Sequence, residues 1–206
     1  YIDTDTGNKK ENFQLVESVN NQNEEDESGC NYSEMYYSKN LNVYFVVSRV
    51  NKKLGYIPAG ETFDKVVYFS TATNLKFTSG TEIDNFWVKD VGNYTFIRVN
   101  DKTYLGISDI SAVKELSEKV DKVWLLSSGE IITLYNSRLY YFDSENGELT
   151  SVVFVSMNSE SGFSSDTDII EINKSMVVVF TTTKNGLSYR VKKINSTTGL
   201  YKDDNF

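Results

Sequence analysis

At 206 residues the chain is long enough for one domain with a sizeable core. A formal net charge of −8 argues against nucleic acid or an anionic membrane surface as partner, since both recruit a basic footprint. With no His and a single Cys, the chain lacks the commonest general base and the commonest transition-metal ligand, and it holds no internal disulfide or CxxC zinc site. Fourteen Tyr and twelve Phe, with abundant Val, Ile and Thr and sparse Ala, point to pleated, half-buried surfaces and an all-β fold.

Residues 1–7 read as a stray outer strand and turn, Tyr1-Ile2-Asp3-Thr4-Asp5-Thr6-Gly7. Residues 8–33 form an acidic polar linker or loop with the run Glu24-Glu25-Asp26-Glu27, a segment offering little apolar area against its ordering entropy. A short strand over 13–19 is compatible with Phe13, Leu15 and Val16. The β domain occupies 34–206. Strands are expected from Met35, over 41–50, at Tyr56-Ile57, and as a pair over 63–71 and 74–78. They continue over 85–89, 94–99 and 103–107.

One amphipathic helix is expected near 109–121, because Ile110, Val113, Leu116, Val120 and Val123 fall on one helical stripe. Strands then resume over 122–126, 131–135, 138–142, 148–157, 169–172, 176–182 and 187–194, with a final Leu200-Tyr201. The longest apolar run, Met176 to Phe180, is far short of the roughly 20 residues needed to span a bilayer as a helix.

Two repetitions organise this list. Tyr141-Phe142-Asp143-Ser144-Glu145-Asn146-Gly147 has close relatives at 1–7 and 193–199, each placing Asp or Asn, then a hydroxyl residue, four positions before Gly. Physically this is a strand end and an Asx-turn, in which the side chain accepts a backbone N–H and Gly supplies a positive φ. Longer units also align: Phe86-Trp87-Val88 matches Val123-Trp124-Leu125 at an offset of 37, which also pairs Tyr94 with Ile131. A further offset of 45 carries Trp124 to Ile169 and Ile131 to Met176. Each unit reads strand, turn, strand, turn, strand, turn, strand, the pattern of propeller blades.

The hairpin Leu139-Tyr140-Tyr141-Phe142-Asp143-Ser144-Glu145-Asn146-Gly147-Glu148-Leu149 resembles the outer hairpin of PQQ-type or YVTN-type β-propeller repeats. The resemblance is sharpest over 122–199, and the Trp characteristic of the PQQ-type repeat does not follow Gly147. It implies a β-propeller-like array of about four antiparallel meanders; a β-sandwich built from similar hairpins is the alternative. Residues 1–7 then read as the end of a blade whose inner strands lie elsewhere. The chain, which opens on Tyr1, is expected to be part of a larger propeller or a processed precursor.

Candidate chemistry is sparse. Asp3 and Asp5 begin like a calcium loop, but the remaining ligands are missing and a plain Asx-turn fits better. Asp166 with Asp168, or Asp203 with Asp204, are the adjacent carboxylates available for glycoside chemistry. No cofactor motif, GxSxG, HExxH or P-loop is present. Glycosylation triplets begin at Asn31, Asn93, Asn173 and Asn195, all in expected turns, and Cys30 would pair with another chain if the protein were secreted. Tyr36-Tyr37, Tyr140-Tyr141 and Trp87 are candidates for an adhesive or carbohydrate-stacking surface.

The expectation is therefore a non-catalytic binding or structural module, extracellular or on a cell surface, whose partner is a protein or another segment of the same precursor. The alternatives are a glycoside-processing enzyme using loop carboxylates and an intracellular or virion scaffold.

Overall fold

A computed structural model describes residues 32–155, 162–173, 176–183, 186–194 and 201–203. The expectations at Asp3, Asp5, Cys30, Asn31, Asn195 and Asp204 lie outside these residues, as do the strand at 13–19 and the turn at 193–199 beyond Ile194. The described strands form four sheets of four strands, each a simple antiparallel meander. Almost every backbone hydrogen bond is thus made to a neighbour in sequence, as short hairpin connections dictate.

Two compact units divide between Asp84 and Asn85. The first holds sheet I: β1 (Glu34–Ser38), β2 (Val43–Ser48), β3 (Lys53–Pro58) and β4 (Val67–Tyr68). Its packing already begins at Tyr32, within the expected linker: Tyr32 is buried with Val46 and Ile57, and Ser33 N donates to Val47 O at 2.9 Å. The strand pair expected over 63–71 and 74–78 does not form. A 3-10 turn (Phe63–Lys65) leads into the two-residue β4, and Phe69, Leu75 and Phe77 are buried from irregular backbone. Local bonds compete with a ladder here: Phe77 N donates to Ser70 O, and the Thr73 hydroxyl folds back onto Ser70 O.

The second unit holds three sheets. Sheet II is β5 (Phe86–Val91), β6 (Tyr94–Val99), β7 (Lys102–Ile107) and β8 (Asp109–Glu115). Sheet III is β9 (Val120–Leu125), β10 (Ile131–Tyr135), β11 (Arg138–Asp143) and β12 (Glu148–Val155). Sheet IV is β13 (Asp168–Asn173), β14 (Met176–Thr183), β15 (Gly186–Ile194) and β16 (Tyr201–Asp203).

The helix expected near 109–121 is instead β8, a break, and the start of β9. The cause is a bulge. The β7–β8 register shifts between Leu105 and Ile107, so the residues β8 turns inward, Ile110 and Val113, are three apart rather than two. A bulged edge strand thereby imitates the i, i+3 step of a helix. Leu116 N and Val120 N then both bond Thr103, through its carbonyl (2.8 Å) and its hydroxyl (2.9 Å), which keeps the segment on the sheet.

Sheets II and III share one apolar cluster in which Tyr94, Phe96 and Leu105 meet Val123, Ile131 and Phe142. The Phe142 ring stands edge-on to Tyr94 and Phe96, with centroids 5.3 and 5.2 Å away. Sheets III and IV share a second, in which Ile132, Leu134 and Leu139 meet Ile169, Val177 and Val179. Sheets II and III thus each turn a front face to the back of the next sheet.

This arrangement corrects the repeat alignment. Trp124 is the register partner of Ile132, on the front of sheet III, whereas Ile169 is the partner of Val179, on the back of sheet IV. The offset of 45 is one residue out, and a one-residue slip exchanges faces. The pairing of Tyr94 with Ile131 fails in the same way, since these two residues meet from opposite sides of one cluster. The pairing of Trp87 with Trp124 holds, because each packs against the cluster in front of its own sheet.

Candidate functional site

The recurring turn forms as its residues require. Asp143 Oδ1 accepts the backbone N–H of Glu145 (2.9 Å) and of Asn146 (3.1 Å), and Oδ2 accepts Asn146 Nδ2 (2.7 Å). Those bonds, led by the Asn146 side chain, hold the Asp143 carboxyl below the usual carboxylate range. Gly147 closes the turn at φ +65° and is buried; a Cβ there would lie 3.3 Å from both Tyr94 Cε1 and Leu105 Cδ2. The Tyr94 hydroxyl donates to Ser144 O at 2.7 Å. The motif is therefore a clasp between sheets II and III, with a structural role.

A polar seam runs beside the apolar clusters. Lys89 Nζ donates to Val123 O (2.7 Å), and the guanidinium of buried Arg98 donates to Val120 O (2.6 Å). Between sheets III and IV, Lys122 Nζ donates to Thr167 O (2.9 Å) and Trp124 Nε1 to Asp168 Oδ1 (2.9 Å), while Ser127 meets Glu171 through its N–H and its hydroxyl. Crowding around the Lys89 ammonium lowers its pKa by desolvation, opposed by Asp168 and reinforced by Lys122.

Where the first strands of the three sheets run side by side, this seam opens into a groove of about 380 Å³. Trp87 and Lys89 come from β5, Asp121, Lys122 and Trp124 from β9, and Asp168 from β13. Of these, sequence analysis singled out Trp87 and Asp168. The signal for Trp124 was present, because the 37-residue offset superposes the two tryptophans. Nothing in residue spacing marked Lys89, Asp121 and Lys122 as neighbours, since only inter-sheet packing brings them together.

Other candidates are scattered. Asp166 and Asp168 are both exposed, but Asp168 turns to Trp124 while Asp166 N bonds Ser164 Oγ. Asn93 is exposed in the β5–β6 turn, and Asn173 ends β13. Tyr140 is buried and stacks on Tyr135 at 4.4 Å, and Tyr141 packs beside the second cluster, so neither presents an adhesive face. Tyr37 is the exposed member of its pair. Among the described residues no cluster of three metal-ligating side chains occurs, and no helix is long and apolar enough to cross a membrane.

Among the described residues, an apolar surface lies exposed on the front of sheet IV. Register places Ile170, Val178 and Val191 in one row and Phe180 and Tyr189 in the next, with Leu187 opposite Thr182 beyond them. Ile170 is 46 % exposed, Ile172 55 %, Tyr189 67 % and Leu187 71 %, values that contrast with complete burial of Ile132 on the front of sheet III.

No family model matches the chain, and no curated protein matches it. Solved structures do resemble it. Oligopeptidase B from Leishmania major superposes with a TM-score of 0.51 at 14 % identity, over 82 % of this chain and 25 % of that one. Oligopeptidase B from Trypanosoma brucei, with covalently bound antipain in its closed form, gives 0.52 at 11 % identity, over 84 % and 27 %. The fold is β-propeller-like. A putative 6-phosphogluconolactonase from Bacteroides uniformis gives 0.46 at 11 % identity, over 85 % of this chain and 54 % of that one. The chain spans about a quarter of the length of the two oligopeptidases, and identities this low show the fold alone.

Proposed function

We propose that the chain is a non-catalytic, propeller-like module that works within a larger assembly, docking a further four-stranded sheet carried by a protein partner against the front of sheet IV. One observation carries this reading: sheets II and III each have their front covered by the back of the next sheet, whereas the front of sheet IV leaves Ile170, Ile172, Leu187 and Tyr189 exposed. A sheet with one solvated face ordinarily alternates apolar and polar residues, whereas a sheet covered on both faces does not. The hairpin type, with its Asx-turn at Asp143 and Gly147, supports the finer resemblance to PQQ-type or YVTN-type repeats.

Sedimentation velocity across a concentration series tests the docking face. With the partner absent, the exposed face is expected to take a second copy of the chain as a substitute, reversibly, at roughly micromolar to millimolar concentration. Replacing Leu187 and Tyr189 by Lys is expected to abolish this while leaving the unfolding midpoint unchanged. A chain that stays monomeric and binds no apolar dye removes the reading. An extracellular setting is supported by the acceptor triplet at exposed Asn93, and intact mass of native material before and after glycosidase treatment checks it.

A glycoside-processing role is the second reading, favoured by Asp121 and Asp168, which come from different sheets and line one groove. Hydrolysis of aryl glycosides, lost in Asp121→Asn and Asp168→Asn, would support it over the first.

A further inference from the structure

The residues of the groove across β5, β9 and β13 that bond neighbouring sheets keep further polar and aromatic surface turned to it. Both tryptophans of the chain stand in it, each seated against an apolar cluster behind it and each still partly exposed. A partly exposed indole packed against a core is a stacking surface that loses little entropy on use, having only two side-chain torsions to fix. The volume, about 380 Å³, falls in the range of sites for small organic ligands.

The charged groups narrow the chemistry. Lys89 and Lys122 are balanced by Asp121 and Asp168, so the lining has no net preference for an anion or a cation. Each ammonium spends one N–H on a backbone carbonyl, Lys89 on Val123 O and Lys122 on Thr167 O, which pins it in place with two N–H bonds still to give. Asp168 is held by short hydrogen bonds and Asp121 by longer ion-pair contacts. Asp168 Oδ1 accepts Trp124 Nε1–H and the Ile169 N–H, and Asp121 Oδ1 faces Arg98 and Lys119. Among the described residues these contacts all fall on Oδ1, which leaves Oδ2 of both carboxylates for a ligand. The groove therefore offers fixed donors, fixed acceptors and an aromatic platform together.

We propose that this groove binds a neutral saccharide, whose C–H face stacks on an indole and whose hydroxyls, each both donor and acceptor, bridge the lysines and the aspartates. A hydroxyl-rich neutral ligand uses both signs of charge through groups that each donate and accept, and its C–H face uses the indoles; a simple anion would meet Asp121 and Asp168, and a simple cation would meet Lys89 and Lys122.

The test takes the full chain to an array of neutral and acidic oligosaccharides, then titrates intrinsic tryptophan emission with the neutral glycan bound most strongly. Because the chain has only these two tryptophans, emission reports the groove without any mutation. The expected result is a bound neutral oligosaccharide, a saturable change in emission, and affinity reduced about tenfold in Asp168→Asn, the equivalent of one good hydrogen bond. Binding of no neutral glycan, binding confined to acidic glycans, or binding that leaves the emission unchanged overturns the proposal. The double variant used against the docking face, L187K/Y189K, is expected to keep the full emission response, so the two readings fail separately.

Discussion

Sheets III and IV are built from similar strands and differ in what covers them. Sheet III lies between neighbours: Ile131 and Phe142 face sheet II, Ile132 and Leu134 face sheet IV, and all four are nearly or fully buried. Sheet IV buries Ile169, Val177 and Val179 on its back and leaves Ile170, Tyr189 and Leu187 exposed on its front. Apolar residues on both faces are thus a property of the repeat rather than a record of what each sheet touches. The same composition is buried between sheets in one case and exposed in the other.

The sharpest way to break this comparison is truncation on matched faces. Ile132→Ala is expected to cost about 2–4 kcal/mol in chemical denaturation, through lost burial and the cavity left between sheets III and IV. Ile170→Ala, on the corresponding face of sheet IV, is expected to cost under about 1 kcal/mol. Equal losses would mean that the front of sheet IV is already covered in the native protein.

Next in size is Gly147→Ala, expected to destabilise by roughly 1–2 kcal/mol, since the clasp needs a left-handed residue and has no room for a methyl group beside Tyr94 and Leu105. Trp124→Phe keeps an aromatic ring beside Ile132 but removes the bond to Asp168. A loss of about 1 kcal/mol is expected, with sheet IV loosening before sheet III in hydrogen exchange.

The smallest effect is a pH dependence. The folded Asp143 carboxyl sits below its ordinary range, so its contribution is complete above the unfolded value and is lost as pH falls through the folded one. The related sequence at 193–199 carries Asn195 in the corresponding position, and an amide does not titrate. Asp143→Asn is expected to flatten the acid limb of the stability curve, read from unfolding midpoints at a series of pH values. An unchanged acid limb would detach the turn from the stability of sheet III.

Legibility followed the range of the interaction. The Asx-turn at Asp143 depends on four consecutive residues and was readable from them. Strand existence was readable from β-branched and aromatic runs, with β6 and β10 matching to the residue. The segment after Ser108 was misread because a bulge in the β7–β8 pairing gave Ile110 and Val113 a helical spacing. The repeat offset between sheets III and IV slipped by one because its alignment rested on residue type, while the identity of a face depends on which neighbouring sheet a residue meets. The groove was the least legible feature. Lys89, Asp121 and Lys122 resemble any solvated charge in a strand until three first strands are set side by side.

The front-to-back stacking of sheets II, III and IV has a kinetic corollary. Units that contact only their neighbours behave as a short linear array, in which opening starts where a unit has one interface instead of two. Among the described residues sheet IV is such a unit, so β14 and β15 are expected to exchange amide protons and yield to proteases before β10 and β11. Whatever seats itself on Ile170, Tyr189 and Leu187 would then act as an end-cap, and its arrival would be felt as slowed fraying that passes inward from sheet IV to sheet III.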